Sequence, residues 1–153
     1  MARPERFSEE VRSHLMKLPC PTFDSTPFIE PPPLKKLRVA LVSTAGLHQR
    51  DDRSFRMGAY DYRLIHRNAP ANELMMSHIS TNFDRTGYQQ DLNLVFPLDR
   101  LNDMVQQGKI GSVAEYHYSF MGATEPKKIE SAIATLSSVM KKDAVTAVLL
   151  VPV

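Results

Sequence analysis

The sequence predicts an α/β fold, an open and mostly parallel sheet with flanking helices, whose C-terminal part is missing from the chain. Three observations carry this expectation. Leu37–Ser43, LRVALVS, is almost continuously apolar, as expected of a strand covered on both faces. Val145–Val151, VTAVLLV, is a second such run. A stretch of helical periodicity leads directly into that second run, the order of a helix feeding a buried strand.

In chain order, residues 5–18 read as an amphipathic helix. Ser8 caps it, Glu9 and Glu10 suit the positive end of its dipole, and Val11, Leu15 and Leu18 share a face. Six prolines between Pro19 and Pro33 then exclude regular structure, so 1–33 divides into a helix and an extended proline-rich arm. The domain proper is 34–153. After Leu37–Ser43, the segment TAGLHQRDDRSF reads as a turn. Tyr60–His66 alternates as a weaker strand, and Glu73–Ser80 is a candidate third. Gly87 and its polar neighbours read as a loop entering the short apolar stretch Leu92–Phe96. Pro97 and Asp99 fit the first turn of a helix whose apolar face is Leu98, Leu101, Met104 and Val105, and which Gly108 ends. His117–Pro126 reads as a loop. Thr124 is placed to cap the next helix, Pro126 fits its first turn, Ile129, Ile133, Leu136 and Met140 repeat at helical spacing, and Asp143 stops it.

Composition bounds the function classes. A chain of 153 residues suits one domain, and 42% hydrophobic with 24% charged residues is ordinary for a soluble protein. A net charge of +2, with basic residues scattered, argues against nucleic acid or an anionic membrane surface as partner. The single cysteine, Cys20, excludes an intrachain disulfide and a cysteine-rich zinc site. No apolar run has transmembrane length and MARPERFSEEVR lacks a signal-peptide core, so the expected location is cytoplasmic. No G-x-G-x-x-G or P-loop pattern occurs, which leaves nucleotide binding without support.

The chain stops two residues past its most apolar strand. Sites in open α/β sheets lie just beyond the carboxyl ends of strands. Two readings follow: a truncated domain, or a domain that ends on a central strand and is covered by a partner.

Three ordered segments carry a resemblance. They are S-T-A-G-x-H at Ser43–His48, D-x-N-x-V-F-P-x-D-R-L at Asp91–Leu101, and G-S-x-A-x-x-H-Y-S-F-M-G at Gly111–Gly122. With the closing AVTAVLLVPV they make residues 34–153 resemble the selenoprotein B family of glycine, sarcosine, betaine and D-proline reductases, with a length closer to the D-proline type. In that family the apolar strand is followed by selenocysteine or cysteine three residues before a second cysteine. The resemblance implies that the nucleophile follows Val153 immediately, and that a UGA codon was read as a stop. It implies an oxidoreductase that cleaves the C–N bond of an amino acid or related amine. A pyruvoyl group on a partner subunit would activate the substrate amine, a selenolate would attack the α-carbon, and a dithiol or thioredoxin-like donor would restore the oxidised pair. The chain itself would hold no cofactor. Cys20, in the proline arm, reads as an incidental packed thiol.

Substrate-facing candidates come from the strand-end loops. Thr44, Gly46 and His48 follow the first buried strand; the alternative roles are a tight turn for Gly46 and a cap for His48. His78, Asn82, Asp84 and Arg85 cluster in SHISTNFDR. Asp84 and Arg85 suit the amine and carboxylate of an amino acid, or else a network that holds the loop. His117 and Ser119 are candidates in the third segment, where Tyr118 lies between them and Phe120 and Met121 read as packing. Asp91 and Asn93 flank the helix entry, and Asp99 with Arg100 reads as structural. Two other functions stay open: a non-catalytic α/β binding subunit, and a metal-dependent enzyme in which His48, His78, His117 and Asp84 converge, although no local ligand spacing supports the latter.

Overall fold

The computed structural model describes residues 4–17, 22, 24–25, 29–80 and 83–153. Leu18, Cys20 and Asn82 lie outside the described residues. Helix α1 spans Glu9–Met16, with the Ser8 hydroxyl accepting from Val11 N–H at 3.4 Å. Val11 and Leu15 of the expected apolar face lie in α1, but none of α1 is buried. The strands are β1 (Arg38–Ser43), β2 (Leu47–Gln49), β3 (Arg63–His66), β4 (Leu74–Met76), β5 (Ser112–Val113), β6 (Tyr116–Ser119) and β7 (Ala147–Val151). Helices α2 (Thr86–Gln90), α3 (Leu98–Gln106) and α4 (Glu130–Lys142) complete the regular structure, with short 3-10 turns between them.

β1 is the spine of the sheet. Along one edge it pairs in parallel first with β5 and then with β6; along the other it pairs in parallel with β7 over five residues. β3 closes the far side of β6 in antiparallel register. The sheet is therefore mostly parallel, as the two apolar runs predicted. β2 and β4 form a separate antiparallel ribbon.

Alternation along β1 feeds two cores. Val39 and Leu41 join Ile65, Phe96 and Leu101 on one face, which α3 covers. Ala40 joins Tyr118, Phe120 and Leu136 on the other, which α4 covers. Leu136 is the one buried residue of α4. Fully burying such a leucine contributes roughly 2–3 kcal/mol.

Four expectations are corrected. The segment read as a loop from His117 begins inside β6, whose His117, Tyr118 and Ser119 are all buried. The turn after β1 contains β2. The polar stretch at Gly87, read as a loop, forms α2, and the apolar stretch it enters begins as a 3-10 turn at Leu92–Leu94. Thr124 does not cap the following helix: its hydroxyl donates to the Ala59 carbonyl at 2.7 Å, and the helix begins as a 3-10 turn at Pro126. β7 differs in another way. It reads as a strand covered on both faces, yet among the described residues β1 is its sole strand partner, and Leu150 is 68% exposed.

The break between β5 and β6 is closed by side chains. Leu41 N–H, which would otherwise face a missing backbone acceptor, donates to His117 Nδ1 at 3.0 Å. Glu115 N–H donates to Asp143 Oδ2 at 2.7 Å, with Tyr116 N–H at 3.4 Å. Arg38 grips the other oxygen of Asp143 and the Asp143 carbonyl, and reaches the Val113 carbonyl at 2.9 Å. An unpaired buried backbone group costs about as much as a lost hydrogen bond, so these two side chains make the broken strand tolerable. Burial works against the charge on Asp143, but the hydrogen bonds and charge of Arg38, with the two N–H groups, hold its carboxyl below the usual 3.8.

Candidate functional site at the strand ends

The carboxyl ends of β1, β6 and β7 converge. Past Ser43 the chain turns through Thr44, Ala45 and Gly46, with Ala45 bridging Met121. Gly46 has φ +67°, a conformation that excludes most side chains, and an added Cβ would lie 3.1 Å from His78 N and 3.3 Å from Met121 Cε. Gly46 thus combines a left-handed turn with close packing between two loops.

Thr44 spans both neighbours. Its N–H donates to the Val151 carbonyl at 3.1 Å, its carbonyl accepts from Gly122 N–H at 2.9 Å, and its hydroxyl accepts from Val153 N–H at 2.8 Å. Beside it, an apolar cavity of about 780 Å³ runs between α4 and β7, lined by Thr44, Phe120, Ile133, Leu136, Met140 and Leu150 among others.

The remaining candidates have partners within the protein. Ser119 is fully buried, and its hydroxyl oxygen accepts from Leu47 N–H at 2.8 Å. His117 is fully buried; with Nδ1 accepting from Leu41, the neutral ring carries its proton on Nε2, which has no hydrogen-bond partner among the described residues, and the ring meets Phe96 edge-on at 5.8 Å. Burial first, then the Arg67 charge, push His117 down to about 4. Tyr118 is likewise buried, its hydroxyl without a partner among the described residues, and burial pushes it up to about 12. His78 packs against Phe83 and accepts from Ser80 N–H through Nδ1 at 3.2 Å; burial and then Arg85 lower its pKa. The Arg85 guanidinium donates to the His78 carbonyl. Asp84 accepts from both the N–H and hydroxyl of Thr86, which lower its pKa. Asp84 and Arg85 therefore hold the loop at the start of α2.

His48 is 6% exposed; its Nδ1 lies 2.7 Å from the Gln49 carbonyl, so Nδ1 donates and the neutral ring leaves Nε2 as an acceptor. Asp91 accepts from Asn93, and Asn93 Oδ1 accepts from Asp99 N–H at 3.2 Å while its Nδ2 donates to Asp99 Oδ2, which ties down the start of α3. Arg100 pairs with Asp103 on the α3 surface. His48, His78, His117 and Asp84 do not gather: among the described residues no three His, Cys, Asp or Glu side chains form a group able to hold a metal ion.

Sequence reasoning missed Gly122, Asp143 and Arg63. Arg63 is 6% exposed, donates to the Arg53 and Tyr62 carbonyls, pairs with Asp61 at 3.0 Å and lies over the Phe55 ring. Alternation in Tyr60–His66 groups Arg63 with Asp61, away from Tyr60, Tyr62 and Leu64, so its burial was not legible there. Gly122 had no local signal, because what crowds it comes from 78 and 31 residues away.

Among the described residues no helix is long and apolar enough to cross a membrane. No solved structure matches the chain. The chain is 32% identical to the D-proline reductase subunit gamma of Acetoanaerobium sticklandii over 133 residues, covering 80% of this chain and 54% of that protein. It is 31% identical to the sarcosine reductase complex component B subunit beta of Peptoclostridium acidaminophilum over 144 residues, 86% of this chain and 32% of that protein. The betaine reductase complex component B subunit beta of the same organism is 33% identical over 114 residues, 69% of this chain and 25% of that protein. The chain thus spans about half the length of the first of these relatives and a third or less of the others. The family model for glycine/sarcosine/betaine reductase selenoprotein B matches residues 9–153, and the chain belongs to that family.

Proposed function

We propose that this chain is the substrate-side part of a selenoprotein B-type reductase subunit, acting in the reductive cleavage of a C–N bond in an amino acid or related amine. The nucleophile, selenocysteine or cysteine, follows Val153 directly. The observation that carries the reading is the convergence of three strand ends on Val153, since α/β sheets put their reacting groups at that edge. The relatives' names, all reductase subunits, support the reaction class.

In this reading a pyruvoyl group on a partner subunit supplies a carbonyl that makes the α C–N bond a better leaving bond. The soft anion beyond Val153 displaces the nitrogen at the α-carbon, the C–N electron pair leaving with nitrogen. A neighbouring thiol releases the product, and a dithiol donor supplies the two electrons and two protons that balance the cleavage. The described residues contribute a rigid edge. Ser43, Ser119 and His117 hold the strand-end loops through buried hydrogen bonds, and His48 offers Nε2 as an acceptor for a proton. The groove beside Thr44 is walled by apolar side chains, among them Phe120, Ile133 and Met140.

Reading the gene tests this. The expected result is a UGA or cysteine codon directly after Val153, with a cysteine codon three residues further on. A UAA or UAG codon, or no downstream frame carrying that cysteine, defeats the proposal. Protein from the complete gene should then oxidise a dithiol only when its amine substrate is present.

A further inference from the structure

We infer that Thr44 and Gly122 are positioning residues that together set the course of the backbone as it leaves β7; the inference rests on the reading that the reacting residue follows Val153. In a parallel ladder, Thr44 N–H bonds to Val151 and the Thr44 carbonyl would next accept from Val153 N–H. The first bond is present at 3.1 Å. The second is not, because the Thr44 carbonyl is taken by Gly122 N–H at 2.9 Å from the opposite side of β1. The threonine hydroxyl stands in for it. It accepts from Val153 N–H at 2.8 Å and donates back to the Val153 backbone oxygen at 3.3 Å.

Thr44 thereby ties the exits of β6 and β7 to one point at the end of β1. Its β-branch restricts the side chain to few rotamers, which suits a fixed anchor better than a substrate contact. Gly122 makes the arrangement possible. A Cβ there would lie 2.8 Å from the Thr44 carbonyl oxygen, 2.8 Å from the Val153 backbone oxygen and 3.0 Å from the Thr44 hydroxyl. Two of these neighbours are backbone atoms, so any side chain at 122 displaces the Val153 peptide. The next residue is consequently launched from a backbone held on two sides, beside the apolar groove that Thr44 also lines.

The test uses protein expressed from the complete gene. Hydrogen exchange of the Val153 amide, followed by mass spectrometry, reads the anchor directly. Thr44→Val is expected to speed that exchange about tenfold, as loss of one hydrogen bond implies, while Thr44→Ser leaves it within about threefold. Gly122→Ala is expected to speed it as well. Exchange at Val153 unchanged in both Thr44→Val and Gly122→Ala overturns the inference, whatever the protein catalyses. In dithiol-dependent turnover, Thr44→Val is expected to lower kcat about tenfold with KM within about twofold, and Thr44→Ser to restore it. A rise in KM alone, or an equal loss in Thr44→Ser, refutes a positioning role. Wild-type protein that turns over no amine defeats the proposed function instead, and the exchange result then decides the anchor by itself.

Discussion

His117 is one group through which acid should weaken this protein. His117 is held neutral because its Nδ1 must accept from Leu41 N–H and its ring is fully buried; its pKa falls from 6.5 to about 4. The unfolded chain takes up that proton near 6.5, the folded one only near 4. Between these values the unfolded state binds more protons, so stability falls as pH falls through the window and is intact above it. At roughly 1.4 kcal/mol per pH unit the whole window is worth about 3 kcal/mol, and the part between pH 7 and pH 5 about 2 kcal/mol. His117→Asn is the informative variant. Its side-chain oxygen sits near the place of Nδ1, keeps an acceptor for Leu41, and does not titrate. Urea unfolding at pH 7 and pH 5 should show wild type losing about 2 kcal/mol more than His117→Asn over that range. Parallel losses in the two proteins would show that His117 is not held neutral by the fold, and the argument from the broken strand would fail with it.

Other substitutions probe the same frame. Asp143→Ala removes the acceptor of Glu115 N–H and the partner of Arg38, and should cost about 2–3 kcal/mol in urea unfolding. Because the Asp143 carboxyl is held below 3.8, its contribution is complete above that value and is lost as pH falls through the folded value, a loss that Asp143→Asn should not show. Ser119→Ala leaves the buried Leu47 N–H without its acceptor and should cost about 1–3 kcal/mol with KM unaffected; a KM effect without a stability effect would restore a substrate contact. Ala144 closes α4 at φ 51°, so Ala144→Gly should raise stability by about 0.5–1 kcal/mol, read as a higher Tm.

The elements legible in the sequence are those whose signal is local. β1 announces itself by an unbroken apolar run, and α3 and α4 by helical spacing ended at Gly108 and Asp143. β6 does not, because His117 and Ser119 read as loop residues. Their polar atoms are buried only because Leu41 and Leu47, 76 and 72 residues away in sequence, need acceptors. A weaker signal was present: Tyr116, Tyr118 and Phe120 fall at period two, the spacing of a strand. The sequence likewise marks Asp143 as a helix stop but hides its second task, since Arg38 lies 105 residues away. Among the candidates, residue type singled out polar residues near strand ends. It could not tell which ones spend their hydrogen bonds on backbone, because that depends on where distant N–H groups fall.

The three segments that carry the family resemblance prove to be bound to one another. The Ser43 hydroxyl donates to the Val95 carbonyl at 2.8 Å, joining the first segment to the second. The Ser119 hydroxyl accepts from Leu47, joining the first to the third. Phe96 meets the His117 ring edge-on, joining the second to the third. Segments that look like a list of site residues are, in large part, the mutual supports of one strand-end frame. Most of their polar atoms are consumed in building it. The Thr44 hydroxyl, which also lines the groove, holds the Val153 backbone. Ser43, His117 and Ser119 thus act first on the frame itself, each fixing a backbone group that another of the three segments, or β1, presents.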